Sequence, residues 1–354
     1  MIYQRQSKTV QLAERFREEL LAERLPKGTP VMSVRQLAEH FAVSTVTANR
    51  ILNLLAEQDF LYRKPQSGTF IKHDPQTVPV IAYAGNLSNP ENTDPLLYEA
   101  TLRLMEHFME LGMEPVLISY HTLRHPELAA QKLRMTGGLL LEASFIDETT
   151  LKALWGYSGR ITVIENTYIE DRFPCSQVIP DFTAPLLEFN RFKPIDSYRK
   201  ILIVQAGHRN SKAGGNAVLR MLAHLNIPEK KVEQVTLETQ GNIQAYMRAS
   251  GYFSKRDDLP DRTLIFSMSE YFSQAIREVF SHGRRMPDIL NFDNMEAYQK
   301  NSGKAYFTSI DRQMGPLFCR GLDLLLRQLK EPNGEQTVLQ IPAKLVIRES
   351  VKTG

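Results

Sequence analysis

The sequence predicts two domains of different fold class: an N-terminal α+β domain built on a winged helix-turn-helix, and a C-terminal two-lobed α/β domain. Three observations predict this division. Two short helical patterns, separated by a tight turn, lead into a β-hairpin pattern near the start of the chain. A segment with two prolines follows. Beyond it, continuous apolar runs alternate with amphipathic helical segments, the pattern of parallel sheets covered on both faces.

The composition is that of a folded protein with one basic region. The chain has 354 residues, of which 42% are hydrophobic and 23% charged, and it exceeds the length of one typical domain. Residues 1–75 contain 11 Lys and Arg against 8 Asp and Glu, so they carry the whole net charge of +3. This excess lies in the segment with the helix-turn-helix pattern and agrees with a nucleic-acid partner.

Cysteine usage and hydropathy predict a cytoplasmic protein. The two cysteines, Cys175 and Cys319, are far apart in sequence, and we expect reduced thiols rather than a disulfide. The N-terminal residues lack the apolar core of a signal peptide. No apolar run approaches the roughly 20 residues that cross a bilayer, so no membrane segment is expected.

Periodicity and capping residues predict the first three helices. Apolar residues repeat at helical spacing over residues 7–24. Ser33, with Gln36 three residues later, is a capping-box pattern and predicts where a second helix begins. Ser44 is a favourable N-cap for a third helix. That helix places four residues on one apolar face: Ala48, Ile51, Leu52 and Leu55.

The hairpin and the polar face of the third helix predict contacts with DNA. Residues 60–64 and 69–72 have strand patterns that flank a turn at residues 65–68. Hydroxyl, amide and guanidinium groups lie on the polar face of the third helix, near its positively polarised N-terminus, and such groups bind base edges and phosphates. We therefore predict DNA contacts by Arg35, Ser44, Thr45, Thr47, Asn49 and Arg50 in the helices, and by Arg63, Lys64, Gln66 and Gly68 in the hairpin.

Residues 5–72 resemble the DNA-binding domain of GntR-type transcription regulators. The family pattern is matched in the second helix, at the start of the third helix and at the end of the hairpin, by Pro30, Ser33, Arg35, Leu37-Ala38, Val43, Ser44, Thr47 and Gly68-Thr69-Phe70. Many members carry Arg where this chain has Thr45 and Asn49, so the operator sequence that such members usually read need not apply here. Asn49 could pair with an adenine edge. Two copies are expected to bind a near-palindromic double-stranded operator, because a two-fold homodimer presents its helices to matched half-sites.

The chain beyond the hairpin predicts a linker and an α/β domain. The predicted boundaries are 1–72 for the winged helix, 73–79 for the linker and 80–354 for the second domain. That domain is too long for one compact sheet, so two lobes are predicted. Its strand patterns are at 80–83, 115–119, 138–141, 161–164, 200–204, 263–266 and 288–291, and its clearest helical patterns are at 96–111, 217–225, 271–280 and 314–329.

The order of these elements over residues 79–350 resembles the effector-binding domain of LacI-type regulators, which is similar to periplasmic sugar-binding proteins. Matching segments are 177–181, 206–211, 290–294, 306–315 and 345–350. The resemblance implies a cleft between the lobes that binds a small molecule, a sugar or a derivative. It implies effector contacts by Asp181 and Asp293. The family usually has Asn-Asp where this chain has Ser269-Glu270, and its arginine near Gly214 is missing here. The further candidates for effector contacts are Arg209, Ser211, Glu270 and Asn294. Asp293-Asn294 could instead cap a turn, and Arg209 or Lys212 could be a solvated loop charge.

The sequence has few motifs of catalytic or cofactor-binding sites. We find no glycine-rich phosphate loop and no Cys-x-x-Cys pair, and no cofactor, metal or enzyme activity is expected. Residues 213–215 are interpreted as a flexible helix start and His208 as a loop residue. Trp155 is expected to pack in a core rather than stack on a sugar, a role also open to Tyr83.

The sequence therefore predicts a ligand-responsive transcription regulator, most simply a repressor, in which a sugar changes operator affinity. Two alternatives stay open. One is a winged helix fused to an enzyme domain that uses pyridoxal phosphate. The other is an architectural DNA-binding protein whose second domain only dimerises.

Overall fold

The computed structural model of the chain divides into two compact units, Met1–Pro79 and Val80–Gly354. It describes residues 8–23, 25–57, 60–65, 67–72, 79–85, 95–164, 173–239, 241–256, 259–281, 283–298, 304–331 and 334–352. Within these residues, no helix is both long enough and apolar enough to cross a membrane.

The N-terminal unit is a three-helix winged helix-turn-helix, as predicted. Its elements are α1 (Lys8–Ala22), α2 (Val34–His40), α3 (Thr45–Glu57), β1 (Leu61–Lys64) and β2 (Gly68–Ile71). The capping box is confirmed, because the Ser33 hydroxyl accepts from the Gln36 N–H while the Gln36 side chain accepts from the Ser33 N–H. The predicted apolar face of α3 is completely buried. It packs against Phe16 of α1 and Leu37 of α2 in one core.

The C-terminal unit follows the predicted alternation of strands and helices. The chain first forms β3 (Ile81–Ala84), α4 (Pro95–Glu110), β4 (Val116–Leu117), α5 (Tyr120–Leu123), α6 (Pro126–Leu133), β5 (Gly138–Glu142), α7 (Glu148–Leu154), β6 (Arg160–Ile164) and β7 (Ser176–Asp181). It continues with α8 (Thr183–Phe192), β8 (Lys200–Ala206), α9 (Arg209–His224), β9 (Val232–Leu237), α10 (Asn242–Phe253), β10 (Thr263–Ser267), α11 (Glu270–Ser281), β11 (Asp288–Asn291) and β12 (Thr308–Asp311). It ends with α12 (Met314–Lys330), β13 (Val338–Pro342) and β14 (Lys344–Val346).

These strands form two six-stranded sheets, one in each lobe. The first lobe has the order β4-β3-β5-β6-β7-β13, with every pair parallel. The second lobe has the order β9-β8-β10-β11-β12-β14, parallel except for β14, which runs antiparallel to β12. The chain passes between the lobes three times: from β7 to α8, from β12 to α12, and from β13 to β14.

Each sheet is covered by helices on both faces, as its apolar strands require. In β3, Ile81 and Tyr83 pack into the cluster that includes α4 and α12, whereas Ala82 and Ala84 pack into the cluster on the opposite face. This alternation follows from the two-residue period of a strand. The second lobe has the same arrangement, with separate apolar clusters on the two faces of its sheet.

Trp155 does not lie in a core, so that expectation was wrong. Its exposed fraction is 73%. It follows directly after α7, whose buried face consists of Thr150 and Leu154. Neighbouring residues at the end of a helix point in different directions, and the position after the buried Leu154 faces solvent.

Gly321 provides a test of how closely α12 packs on the first sheet. A β-carbon at Gly321 would lie 2.2 Å from Cγ2 of Ile164 and 3.1 Å from Cδ1 of Leu140. We expect Gly321→Ala to lower the free energy of unfolding by about 1–3 kcal/mol, because overpacking outweighs the gain in helix propensity. Urea denaturation followed by circular dichroism measures this change.

Gly251 of α10 is the matched control, because a β-carbon there meets nothing within 4 Å. Gly251→Ala should stabilise the protein by about 0.5–1 kcal/mol. Equal effects of the two substitutions would contradict the close approach at Gly321.

Candidate functional site

The N-terminus of α3 is held by its own side chains. The Ser44 hydroxyl accepts from the Thr47 N–H at 3.2 Å and lies 3.0 Å from the Thr47 hydroxyl. The preceding turn is fixed by a bond from the Val43 N–H to the Ala38 carbonyl and by Ala42 in the left-handed region, with φ of 50°. This geometry sets the angle at which α3 leaves α2.

The predicted DNA-contact residues of the two helices are accessible to different degrees. Four are exposed: Arg35 in α2, and Ser44, Thr45 and Arg50 at the start of α3. Thr47 and Asn49 are half-buried. Their hydroxyl, amide and guanidinium groups surround the N-terminal turns of α3, where the helix dipole favours an anion such as phosphate.

The predicted DNA-contact residues of the hairpin have different structural roles. Arg63 of β1 turns towards α3, where its Nη1 donates to Oδ1 of Asn49 at 2.9 Å and to Oδ1 of Asn53. Lys64 is exposed. Gly68 adopts φ of +116°, a conformation that favours glycine, and so allows the hairpin to close. Gln66 lies outside the described residues.

In the second lobe, the carboxyl ends of the parallel strands bring ionisable residues together. His208 follows β8, Glu238 follows β9, and Glu270 follows β10. Asp293 follows β11 and Arg312 follows β12. Open parallel sheets bind ligands at this edge, because the loops after the strands converge there. We refer to these five residues as the second-lobe cluster.

An ion pair between Asp293 and Arg312 is the centre of the second-lobe cluster. Oδ1 of Asp293 lies 2.7 Å from Nη2 of Arg312, and each residue is less than a tenth exposed. Asp293 was predicted from the sequence, but Arg312 was not. Its position directly after the strand segment at residues 308–311 was the available signal, because the other site residues of the sheet also follow strands.

His208 is the N-cap of α9 and carries a neutral ring. Its Nδ1 accepts from the Ser211 N–H at 3.3 Å, which assigns the proton to Nε2. Surrounding protein atoms desolvate the ring, and this effect, followed by the positive charge of Arg312, lowers the pKa of His208. Part of the side chain stays open to solvent. His208 can therefore offer an Nε2–H donor to a ligand oxygen at neutral pH.

Two other predicted contacts are engaged inside the second lobe. Oγ of Ser211 accepts from the Ala206 N–H at 2.8 Å and is buried. Glu270 is completely buried, and its Oε2 accepts from Nδ2 of Asn291 and from the Met295 N–H. These bonds hold the loop on which Asp293 stands.

Asp181 lies at one crossing between the lobes, and Asn294 contacts a residue at another. Oδ1 of Asp181 accepts from the Thr183 N–H at 2.9 Å, where β7 leads into α8. Asn294 donates to Oδ2 of Asp311 at 3.0 Å and accepts from Nη2 of Arg348 at 2.6 Å. The side chain of Arg209 is outside the described residues.

The glycines of α9 were interpreted wrongly as a flexible helix start. α9 begins at Arg209, so Gly214 and Gly215 lie inside it. A β-carbon would lie 2.7 Å from Sδ of Met268 at Gly214 and 2.1 Å from Oε1 of Gln205 at Gly215. Glycine here permits close packing of the helix on its sheet.

The first lobe contributes a buried polar pair at the carboxyl ends of β3 and β5. The Tyr83 hydroxyl donates to Oε1 of Glu142, and both residues are completely buried. A β-carbon at Gly85 would lie 2.2 Å from that carboxylate oxygen. Tyr83 therefore does not present its ring for stacking. Glu142, like Glu238 of the second-lobe cluster, is an acidic residue that was not predicted from the sequence.

The protonation state of the buried Glu270 can be tested through the pH dependence of protein stability. Burial, followed by the negative charge of Asp293, raises its pKa from 4.5 to about 8. The folded protein therefore holds a proton that the unfolded chain releases above its ordinary pKa, and stability falls as pH rises between these two values. Glu270→Gln mimics the protonated acid. We expect it to reduce this pH-dependent decrease in the free energy of unfolding by roughly 2–4 kcal/mol.

Urea denaturation between pH 5 and 8 measures the difference between wild type and Glu270→Gln. Glu188→Gln, an exposed substitution on α8, is the control and should leave the pH profile unchanged. A constant difference between wild type and Glu270→Gln over this range would contradict the buried, protonated state.

Comparison with known proteins agrees with both units. Residues 8–71 match the model of the family described as bacterial regulatory proteins, gntR family. No curated protein matches the chain significantly.

Solved structures match the C-terminal unit. A LacI family transcriptional regulator from Enterococcus faecalis with bound ribose is 16% identical, with a TM-score of 0.58, over 77% of this chain and 98% of that one. A periplasmic binding protein/LacI transcriptional regulator from Alkaliphilus metalliredigens, complexed with D-xylulofuranose, is 13% identical, with a TM-score of 0.54, over 78% and 100%. A LacI transcriptional regulator from Rhodococcus is 14% identical, with a TM-score of 0.59, over 77% and 98%.

These matches confirm the predicted resemblance and fold class. The chain joins a segment that matches the gntR-family model to a domain with the two-lobed α/β fold of LacI-family regulators and periplasmic binding proteins.

Proposed function

We propose that the protein is a cytoplasmic transcription repressor that binds an operator through its winged helix and responds to a sugar or sugar derivative. The match of residues 8–71 to the gntR-family model carries this proposal. It coincides with a capped α3 whose exposed end presents hydroxyl and guanidinium groups. A regulator of this design needs a second domain that senses a signal, and the two-lobed fold supplies one.

DNA recognition uses the start of α3 in the major groove. Thr45, Thr47, Asn49 and Arg50 contact base edges or phosphates from α3, and Arg35 contacts the backbone from α2. Lys64 lies on the exposed hairpin, where a positive charge binds phosphate.

The effector binds at the second-lobe cluster. Asp293 and Arg312 together offer acceptors and donors, and His208 offers its Nε2–H. A sugar hydroxyl both donates and accepts, so it suits this mixture. The Enterococcus and Alkaliphilus structures of the same fold hold ribose and D-xylulofuranose, and this chemistry defines the first ligands to test. Ser211, Glu270 and Asn294 act as supports in this proposal, because protein groups bind the Ser211 hydroxyl, Oε2 of Glu270 and the Asn294 amide.

A homodimer forms through an apolar stripe on α4 of the first lobe. Tyr98, Leu102 and Met109 recur at helical spacing, and Tyr98 and Met109 are 52% and 70% exposed. Leu117, on the edge strand β4 that follows, is exposed as well. Contiguous exposed apolar residues mark an interface. A two-fold dimer places two α3 helices on half-sites about 34–36 Å apart, or a multiple of that spacing.

Ligand binding changes operator affinity only through a difference in its affinity for two protein conformations. The coupling is reciprocal, so operator DNA must lower the affinity for an inducer by the same factor. A repressor of this kind releases its operator when the effector accumulates.

Two substitutions separate the two activities. Arg50→Ala should weaken operator binding about tenfold or more at moderate salt, because it removes a charged contact, and should leave ligand binding intact. Asp293→Asn should abolish the ligand-induced rise in melting temperature for a panel that includes D-ribose and D-xylulose, and should leave operator affinity intact. Electrophoretic mobility shift and thermal shift assays measure the two effects.

A control variant and a second variant of the effector site complete this test. Arg191→Ala removes an exposed positive charge from α8 and should change neither activity. His208→Asn keeps an N-cap acceptor but removes the Nε2–H. It therefore tests the second-lobe cluster while Arg312 keeps its ion-pair partner Asp293. If Asp293→Asn and His208→Asn each lost operator binding as well as ligand binding, the assignment of the effector site to the second-lobe cluster would be contradicted.

Glutamates introduced into the apolar stripe of α4 test the proposed homodimer. Leu102→Glu combined with Met109→Glu should halve the molar mass measured by light scattering, because burying two carboxylates in an apolar interface is costly. Leu128→Glu, at an exposed apolar residue of α6, is the control and should leave the mass unchanged. An unchanged mass in the double variant would place the interface elsewhere.

A further inference from the structure

The contact between the hairpin and α3 determines how one base-reading side chain is oriented. Asn49 is half-buried on the polar face of α3, and its Oδ1 accepts from Nη1 of Arg63 at 2.9 Å. The same Nη1 donates to Oδ1 of Asn53, one helical turn further on. Two amide oxygens therefore converge on one guanidinium nitrogen.

The pleat of β1 directs Arg63 towards α3. Alternate residues of a strand share a face, and Leu61, two residues before Arg63, is buried in the core with Ile51 and Leu55 of α3. Arg63 is thus on the face that meets the helix. Tyr62, on the opposite face, stacks on Phe70 with ring centroids 5.4 Å apart.

A guanidinium group fixes which end of an amide it meets. Arginine has donors only, so the oxygen of Asn49 must face Arg63 and the NH₂ group must face the other way. Among the described residues, the NH₂ group of Asn49 donates to no protein atom. Asn49 therefore has a preset orientation, with a donor directed away from the protein contact.

This orientation conflicts with the usual asparagine–adenine pair. Asparagine binds adenine with two bonds, in which Oδ1 accepts from N6 and Nδ2 donates to N7. Guanine presents two acceptors in the major groove, O6 and N7, which suit an outward NH₂ group. Cytosine presents an N4 donor there and would face another donor.

We propose that Arg63 is a positioning residue that presents the NH₂ group of Asn49 to the operator, so that this residue selects guanine over adenine. The inference rests on the proposed DNA-binding function. It changes the role of Arg63 from a general phosphate contact to a determinant of sequence preference at one base pair.

The test is in vitro selection of operator sequences from a random DNA library, followed by affinity measurements. Asn49→Ala identifies the operator position that Asn49 contacts, because the base preference is lost only there. At that position the wild type should bind guanine at least about fivefold more tightly than adenine. Arg63→Met should lose this preference or reverse it towards adenine, because the amide is then free to turn.

Lys64→Met is the matched control. Lys64 is the next residue of the same strand, on the opposite face and exposed. Its loss should weaken binding to all sequences uniformly and leave the preference for guanine unchanged.

A second substitution tests the same orientation without removing Arg63. Asn49→Asp keeps an oxygen facing Arg63 and replaces the outward donor with an acceptor. Its preference should therefore move from guanine to cytosine.

The outcomes separate this inference from the proposed function. Enrichment of no sequence by the wild-type protein would overturn both. The wild type could enrich an operator while Arg63→Met keeps the same base preference at the position that Asn49 contacts. This result would overturn the inference alone. A wild-type preference for adenine at that position would also overturn it.

Discussion

The candidate site of the second lobe is built around the ion pair between Asp293 and Arg312, which is almost fully removed from water. Moving two charges out of water costs several kcal/mol per ion, and their attraction offsets that cost only when the geometry is good. The surrounding structure supplies this geometry. Glu270 and Asn291 hold the loop of Asp293, and Arg312 directly follows the last residue of β12.

The same residues connect the second-lobe cluster to a crossing between the lobes. Asp311, the neighbour of Arg312, accepts from Asn294 and from the Gln313 N–H. Asn294 in turn accepts from Arg348, which follows β14. A change around the ion pair therefore acts on the crossing from β12 to α12 and, through Asn294, on the chain that follows β14. This is the physical requirement for coupling a bound ligand to the relative position of the lobes.

The features that the sequence predicted are mainly local ones. Ser33 with Gln36, the apolar face of α3 and the alternation of buried strands each depend on residues a few positions apart, so a single sequence contains them. The pairings that were missed depend on the fold. Arg312 meets Asp293 because β11 and β12 are neighbours in a parallel sheet, and Arg63 meets Asn49 because the hairpin returns to α3. The interpretation of Gly214 failed for the same reason, because only the packed sheet shows what a β-carbon would meet there.

The return of the chain to the first lobe has a consequence for how the protein folds. The hydroxyl of Ser176 at the start of β7 accepts from the Thr337 N–H, across 161 residues of sequence that include the whole helical layer of the second lobe. The edge strand β13 of the first sheet is therefore synthesised after almost all of the second lobe. On the ribosome, the second lobe can assemble its central strands while the first sheet still lacks its last strand. Closing so long a loop is slow, and it leaves the edge of β7 open to wrong strand pairing until synthesis is nearly complete.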